Sequence, residues 1–421
     1  MSLLMVVLWG NATDTIRMMQ YNLMYYSDNA PEGCDASTNS LQNKDAYIKN
    51  IFHHVKPDIF CVNEIGKNNV YANRLLQNAI NQNGVDYFAT CNTQSNSSSS
   101  ISIGNRIFYD TRKFVPVETF FIPTIYTFFN GYRFYLKSSD LARGDTVYVT
   151  FIIGHLKAGN YADARYQQIQ KLMTYIDEHN LTGNIILSGD FNSSGSNEQG
   201  IAYLLNPSTY EHRFIDPIAQ AGTWYNNSDF AKYHTQSTHS SNNDECFSGG
   251  GFDDRFDLIL VSPAVKYGNQ GVMAIPASYQ TLGQDGERFN YGLLNPTNHS
   301  GLSTTILQSL YHNSDHLPVI MDLAVNANDV SIQNIERQTF NLNIINPIRD
   351  NQLSFSIFAN EEGIYKAELY SLDGKLLWTK EILTNIGNES FIHQHFDNPS
   401  GVYFLKVEGP NGVTITKKIV K

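Results

Sequence analysis

The chain has 421 residues, 42% of them hydrophobic and 16% charged, which is long enough for two or three domains and apolar enough for a large core. Lys and Arg total 29 against 40 Asp and Glu, a formal net charge of −11. That balance argues against holding nucleic acid by a basic footprint alone, but it leaves room for phosphate held through a divalent cation.

At the start, Leu3 to Trp9 is a short apolar run followed by the small residue Ala12, which resembles the end of a signal peptide. A first β-strand is the alternative. No apolar stretch of roughly 20 residues exists, so no membrane-spanning helix is expected. Residues 17–26, "RMMQYNLMYY", have strand composition. Ile48, Ile51, Phe52 and Val55 then follow helical spacing, and Pro57 ends that helix. "DIFCVNE" reads as a strand ending at Glu64, with Cys61 as a buried small hydrophobe. A disulfide among Cys34, Cys91 and Cys246 is compatible with an oxidising compartment, but its pairing is not readable. "TQSNSSSS", residues 93–100, reads as a mobile low-complexity loop.

The strand–helix–strand pattern recurs further on. "TVYVTFIIGH" ends at His155, Ile169, Leu172, Met173 and Ile176 mark a helix over about 162–179, and "NIILSGDFN" runs into Asp190. Helical crossovers join parallel strands, so these strand ends should open on one sheet edge, where α/β folds place ligands. Residues 222–251 form a long irregular insertion. "GGGFDDR" at 249–255 reads as a glycine-rich turn or a calcium loop. "RFDLILVS" is another strand, and Val319 begins one more behind "HNSDHLP". Residues 326–335 read as a linker. Residues 336–421 hold short alternating strands with hairpin turns at Asp373-Gly374 and Asn411-Gly412, predicting a small β-sandwich.

Polar residues therefore stand at successive strand ends: Asn22, Glu64, His155, Asp190 with Asn192, Asp257, and Asp315 with His316. Any one of them could cap a strand or make a turn. Their recurrence suits phosphate-ester hydrolysis. Glu64 is a hard oxygen ligand for Mg²⁺. The imidazoles can exchange protons near neutral pH, and Asp257 would fix the tautomer of His316 if hydrogen-bonded to it. Asn192 and Asn22 can orient phosphate or water without adding charge.

The motifs "YN" at 21–22, "NE" at 63–64, "GHL" at 154–156, "GDFN" at 189–192, "RFDLIL" at 255–260 and "SDHLPV" at 314–319 resemble the endonuclease/exonuclease/phosphatase superfamily over about residues 15–325. The resemblance implies an α/β fold like that of pancreatic-type deoxyribonuclease: a four-layer α/β sandwich with two packed mixed β-sheets. It implies Glu64 as the metal carboxylate with Asn22 and Asp315 nearby. His155 and His316 would flank the scissile phosphate, Asp190 and Asn192 would hold water or phosphate, and Asp257 would support His316. "HLKAG" is similar to secreted bacterial members, which makes Lys157 and Arg165 candidate phosphate contacts, a solvated helix face being the alternative. "HTQST" at 234–238 is similar to the same subgroup, without a role that can be assigned.

In the C-terminal segment, "LYSLDGKLL", "SGVYFLKV" and "KKIVK" resemble the type A sorting domain of type IX secretion in Bacteroidetes, with a generic β-sandwich binding module as the alternative. The expected organisation is a signal remnant at 1–12, a catalytic domain at 13–325, a linker at 326–335 and a sorting β-sandwich at 336–421. The expected protein is a secreted, monomeric phosphodiesterase using Mg²⁺, with Mn²⁺ or Ca²⁺ as alternative ions, and it engages the type IX secretion machinery. A nuclease acting on extracellular DNA or RNA leads. A phospholipid-headgroup (sphingomyelinase-like) or small-phosphoester hydrolase is the second reading, and a catalytically dead surface module the third. No exposed apolar hairpin for membrane docking stands out in the sequence.

Overall fold

The computed structural model describes residues 14–28, 34, 38–92, 102–137, 146–206, 213–242, 246–297, 301–325, 340–344, 348, 351–359, 361–385, 389–410, 412 and 414–421. The signal segment 1–12, the loop at 93–100 and the linker at 326–335 lie outside the described residues. The chain divides into two compact units, Met1–Val330 and Ser331–Lys421.

In the first unit, two mixed sheets face each other. One has six strands, β1 (Asp14–Tyr26), β2 (Ile59–Gly66), β3 (Phe88–Thr90), β4 (Ile103–Asp110), β10 (Val272–Thr281) and β11 (Val319–Val325), in the order β10-β11-β1-β2-β4-β3. The other runs β5 (Phe114–Pro123), β6 (Phe128–Leu136), β7 (Tyr148–His155), β8 (Ile185–Asp190) and β9 (Asp257–Val261) in chain order. β1 pairs with β2 and β7 with β8 in parallel, and the other neighbours are antiparallel.

Alternation explains the layering. Along β2, Ile59 and Cys61 enter the core between the sheets, whereas Phe60 and Val62 face the helices. Both faces are covered, so the strand is buried throughout and its run Ile59–Val62 is continuously apolar. Helix α1 (Leu41–Val55) is capped by Ser40, whose Oγ accepts from the Asn43 N–H, and ends at Lys56 in the left-handed region before Pro57. It buries Ile48, Ile51, Phe52 and Val55 on the first sheet, each worth about 1.5–3 kcal/mol of transfer free energy. α2 (Asn69–Leu75) and α5 (Thr304–Asn313) share this layer. α3 (Ala162–Glu178) and α4 (Gln199–Leu205) cover the second sheet through Ile169, Leu172, Met173, Ile201 and Leu204. The expected four-layer α/β sandwich is thus present.

In the second unit, β12 (Phe340–Ile344), β13 (Gln352–Ala359) and β16 (Glu389–His395) form an antiparallel sheet. β14 (Gly363–Ser371), β15 (Leu376–Thr384), β17 (Val402–Glu408) and β18 (Thr414–Val420) form a second one, in the order β15-β14-β17-β18. Phe355, Ile357 and Ile392 from the first meet Tyr365, Leu369 and Leu405 from the second in one core. Gly374, at φ +83°, sits in the turn joining β14 to β15.

Candidate active site

The two parallel pairs bring β1, β2, β7 and β8 to one edge by their C-terminal ends, and β9 and β11 start there because each runs antiparallel to its neighbour. His155 pairs with Asp190, and Asp190 with Asp257, in register. Close approach of β7 and β8 requires Gly189: it sits at φ +147°, and a Cβ there would lie 1.8 Å from the Gly154 carbonyl oxygen.

Glu64 breaks the regularity of β2. Its φ is +56°, and the pairing of β2 shifts register on both flanks of it. A non-glycine residue in this region costs on the order of 1 kcal/mol or more, a strain that clusters at functional sites. The Glu64 carboxylate accepts the Asn22 amide at 3.0 Å through Oε1 and the Tyr25 N–H at 3.1 Å through Oε2. The same Asn22 amide donates to Asp190 Oδ2 at 3.0 Å, so Asn22 braces two carboxylates while its own carbonyl takes the Met24 N–H. Burial pushes the Glu64 carboxyl up, against the opposing pull of His155 and Asn22. Asn192 sits at φ +49°, gives its N–H to Asp190 Oδ1 and its amide to the Leu156 carbonyl.

His155 Nε2 and His316 Nε2 each lie 3.6 Å from Asp190 Oδ2. His316 Nδ1 lies 2.7 Å from Asp257 Oδ2, a fully buried carboxylate. Burial alone disfavours the imidazolium, but Asp257, Asp190 and Asp315 outweigh it and hold the His316 imidazole well above its ordinary range. Asp315 completes the cluster with Oδ1 4.0 Å from His316 Nε2. The structure thus gathers Asn22, Glu64, His155, Asp190, Asn192, Asp257, Asp315 and His316 into one site.

Arg165 does not join them. Its guanidinium is bound to Glu198 at 2.6 and 2.9 Å and to the carbonyls of Lys157 and Gly159, so the expected phosphate contact is corrected to a buried brace of the β7–α3 loop. Lys157 sits at the edge of the site with its ammonium 4.8 Å from the Tyr161 ring centroid. Asp253 and Asp254 of the glycine-rich stretch belong to no group of three clustered ligands among the described residues. The β5–β6 connection, contrary to the sequence reading, does carry exposed apolar side chains: Ile125 is 68% exposed and Tyr126 40%.

Two supporting sets were not legible as such. The first is a buried amide layer. Asn63 Oδ1 accepts the Asp190 N–H and the Gln20 amide, and its own amide reaches Asn105 Oδ1 and the Gly154 carbonyl. Its signal is positional: Gln20, Asn63, Asn105 and Ser188 occupy inward positions where β1, β2, β4 and β8 otherwise place Met18, Cys61, Ile107 and Ile186. The second is "HTQST". Thr235 Oγ1 accepts the N–H groups of Phe256 and Asp257. The Gln236 amide lies 2.8 Å from His316 Nε2 and 3.1 Å from Asp315 Oδ2.

Cys34 and Cys246 form a disulfide, while Cys61 and Cys91 are free and buried. Beyond Cys246, the Ser248 N–H donates to Asp315 Oδ2 at 3.1 Å, and the Ser248 carbonyl takes the Ser237 hydroxyl.

The donor set fits a divalent cation. One ligand atom each from Glu64, His155 and Asp190 lies within 4.8 Å of the others, and Asp315 Oδ1 is buried with no hydrogen-bond partner. Buried carboxylates this close repel unless a cation joins them.

Comparison with solved structures finds an endonuclease/exonuclease/phosphatase family protein from Bacteroides thetaiotaomicron at TM-score 0.48 and 16% identity, covering 75% of this chain and 100% of that one. A mannosyl-6-phosphatase from the same organism matches at TM-score 0.45 and 17% identity, over 73% and 99%. The human Nocturnin catalytic domain with bound sulfate matches at 0.45 and 14%, over 75% and 98%. These likenesses concern the fold. No curated protein matches the sequence significantly. The model of the Endonuclease/Exonuclease/phosphatase family matches residues 19–299, two thirds of the sequence and nearly every strand end that carries the site, and the chain belongs to that family.

Proposed function

We propose that the protein is a secreted, Mg²⁺-dependent phosphodiesterase, with nucleic acid as its leading substrate. The observation that carries this reading is the meeting of two imidazoles on one carboxylate oxygen, Asp190 Oδ2, beside Glu64. Glu64 would hold the ion as expected, joined by Asp190 and His155 in place of Asn22, whose amide donates to both carboxylates, with Asp315 next to them. When bound, the ion neutralises charge on a non-bridging phosphate oxygen. Asp257 accepts at His316 Nδ1 and so leaves Nε2, which faces Asp190 and Gln236, to exchange a proton with water or a departing oxygen. Asn22 and the Tyr25 N–H fix the Glu64 carboxylate, and the amide layer fixes Asp190. Such braces orient the groups before a substrate arrives, and preorganisation of this kind is where most electrostatic catalysis originates.

The test is a panel of plasmid, single-stranded DNA, RNA, sphingomyelin and bis-nitrophenyl phosphate with Mg²⁺. Chelation should abolish hydrolysis, and Glu64→Gln should lower it on the order of 10³-fold. Full activity in excess chelator would remove the metal from the mechanism. A second reading, hydrolysis of a lipid headgroup, draws on the exposed Ile125 and Tyr126. Sphingomyelin turnover exceeding that of every nucleic acid would establish it instead. For export, the Cys34–Cys246 disulfide supports an oxidising destination, and the sequence of the second unit supports the type IX route. Retention inside the cell of a chain lacking the second unit, with release of the full chain, is the expected outcome of a secretion assay.

A further inference from the structure

Beside His155, the start of β4, the β5–β6 connection and the segment after β7 enclose a cavity of about 300 Å³. Its walls include Tyr25, Ile103, Tyr126 and Phe128, with His155 and Lys157 also in the lining. Tyr25 connects it directly to the catalytic cluster, because its N–H holds Glu64. A phosphate held by a cation at Glu64 and His155 would therefore have one ester substituent beside the mouth of this cavity. We propose that the cavity binds a flat, uncharged aromatic ring of the substrate, of which a nucleobase is the biological example; this rests on the phosphodiesterase reading.

Three observations select that chemistry. The volume is at the lower end of ligand pockets, enough for a ring system but not for a folded chain. Two polar side chains in the lining, Thr127 and Asn105, are already committed. The Thr127 hydroxyl donates to the His155 carbonyl at 2.5 Å and accepts the Gln168 amide. The Asn105 amide donates to the carbonyls of Phe128 and Ile153. Neither can serve the hydroxyls of a sugar, whose burial without partners is costly. Finally, the aromatic walls do not form a cage for a cationic headgroup. Lys67 already places its ammonium 5.6 Å from the Phe128 ring centroid, and Lys157 lines the cavity itself. A quaternary ammonium would meet like charge, whereas a neutral ring stacks on the aromatic walls without that cost.

The experiment titrates the full chain, in Mg²⁺, with adenosine 5′-monophosphate, ribose 5-phosphate and phosphocholine by calorimetry. The adenosine compound should bind about tenfold or more tighter than ribose 5-phosphate, and phosphocholine no better than ribose 5-phosphate. Tyr126→Ala and Ala158→Trp, both at exposed lining positions, should shrink that advantage to about threefold or less while ribose 5-phosphate affinity stays the same. The unchanged affinity shows that the phosphate site is intact. Equal binding of the two phosphates, preference for phosphocholine, an advantage that survives both substitutions, or no measurable adenosine 5′-monophosphate binding would each overturn the proposal. Because affinity is read rather than turnover, a protein that prefers the ring yet hydrolyses nothing would sink the catalytic reading and leave the cavity standing.

Discussion

At the scale of single residues, His316 is the most constrained group in the site. It is buried, held at Nδ1 by Asp257, and faced at Nε2 by Asp190 and Gln236. His316→Ala should lower turnover roughly 10²- to 10⁴-fold, the range for loss of an acid–base group. Asp257→Asn should lower it as well. The double variant should be little worse than His316→Ala, because the carboxylate acts only through the ring. Multiplicative losses in steady-state kinetics would show that the two act separately. Lys44 presents a different residue-scale problem. It is a buried ammonium on α1 that donates to the carbonyls of Leu23 and Asn313, which flank Asn22 and Asp315 in sequence. Burial lowers it to about 7, although Asp315 and Glu64 pull it upward. An unfolded lysine keeps its proton to about pH 10, so between about pH 7 and about pH 10 the unfolded chain binds more protons than the folded one. Stability should therefore rise with pH across that window relative to Lys44→Met. Denaturant midpoints of the two proteins, measured at pH 7 and at pH 9.5 in about the same salt, check the sign. A gap that closes instead of widening in the wild type's favour would refute it.

At the scale of elements, the strand–helix–strand units were readable because each combines an apolar strand with a 3.6-residue stripe and ends in a polar motif. β1, α1 and β2, and β7, α3 and β8, follow that pattern. β4 to β6 were not readable: residues 103–136 carry no polar end motif, and their aromatic content does not fix boundaries. β12 and β16 in the second unit are hard to bound for a similar reason, since in "FNLNI" and "ESFIHQH" the polar residues do not stand out from a loop. The strand-end site residues were legible as a set, and so was the hold of Asp257 on His316, but not the other contacts that fix them. Gln236 and His316 are 80 residues apart, and nothing local in "HTQST" indicates its partner. The pairing of Cys34 with Cys246 was beyond reach for the same reason, at a separation of 212. That disulfide anchors the segment whose Ser248 N–H grips Asp315, while Phe247 packs beside Met24. Replacing both cysteines by serine should cost about 2–4 kcal/mol of stability and lower turnover several-fold by loosening Asp315. Calorimetry and kinetics under oxidising conditions would measure both. Unchanged turnover in the variant would mean that the tether does not reach the site.

At the scale of the whole molecule, the division after Val330 separates every candidate catalytic residue from the second unit. Each unit has its own core, so removing residues 331–421 should leave a first unit that melts cooperatively and retains its hydrolytic rate per molecule. Loss of a cooperative transition in the shortened chain would assign the second unit a structural role. The placement of β1 has a temporal consequence as well. β1 lies between β2, made early in the chain, and β11, the last strand of the first unit, and the loop feeding β11 carries Asp315 and His316. No amino-terminal fragment that ends before β11 can therefore assemble the site: a ribosome must release residues up to about Val325 before β1 gains its second neighbour and the second imidazole arrives. Synthesis itself is the timer, because a chain cut short before the loop that feeds β11 lacks Asp315 and His316 altogether.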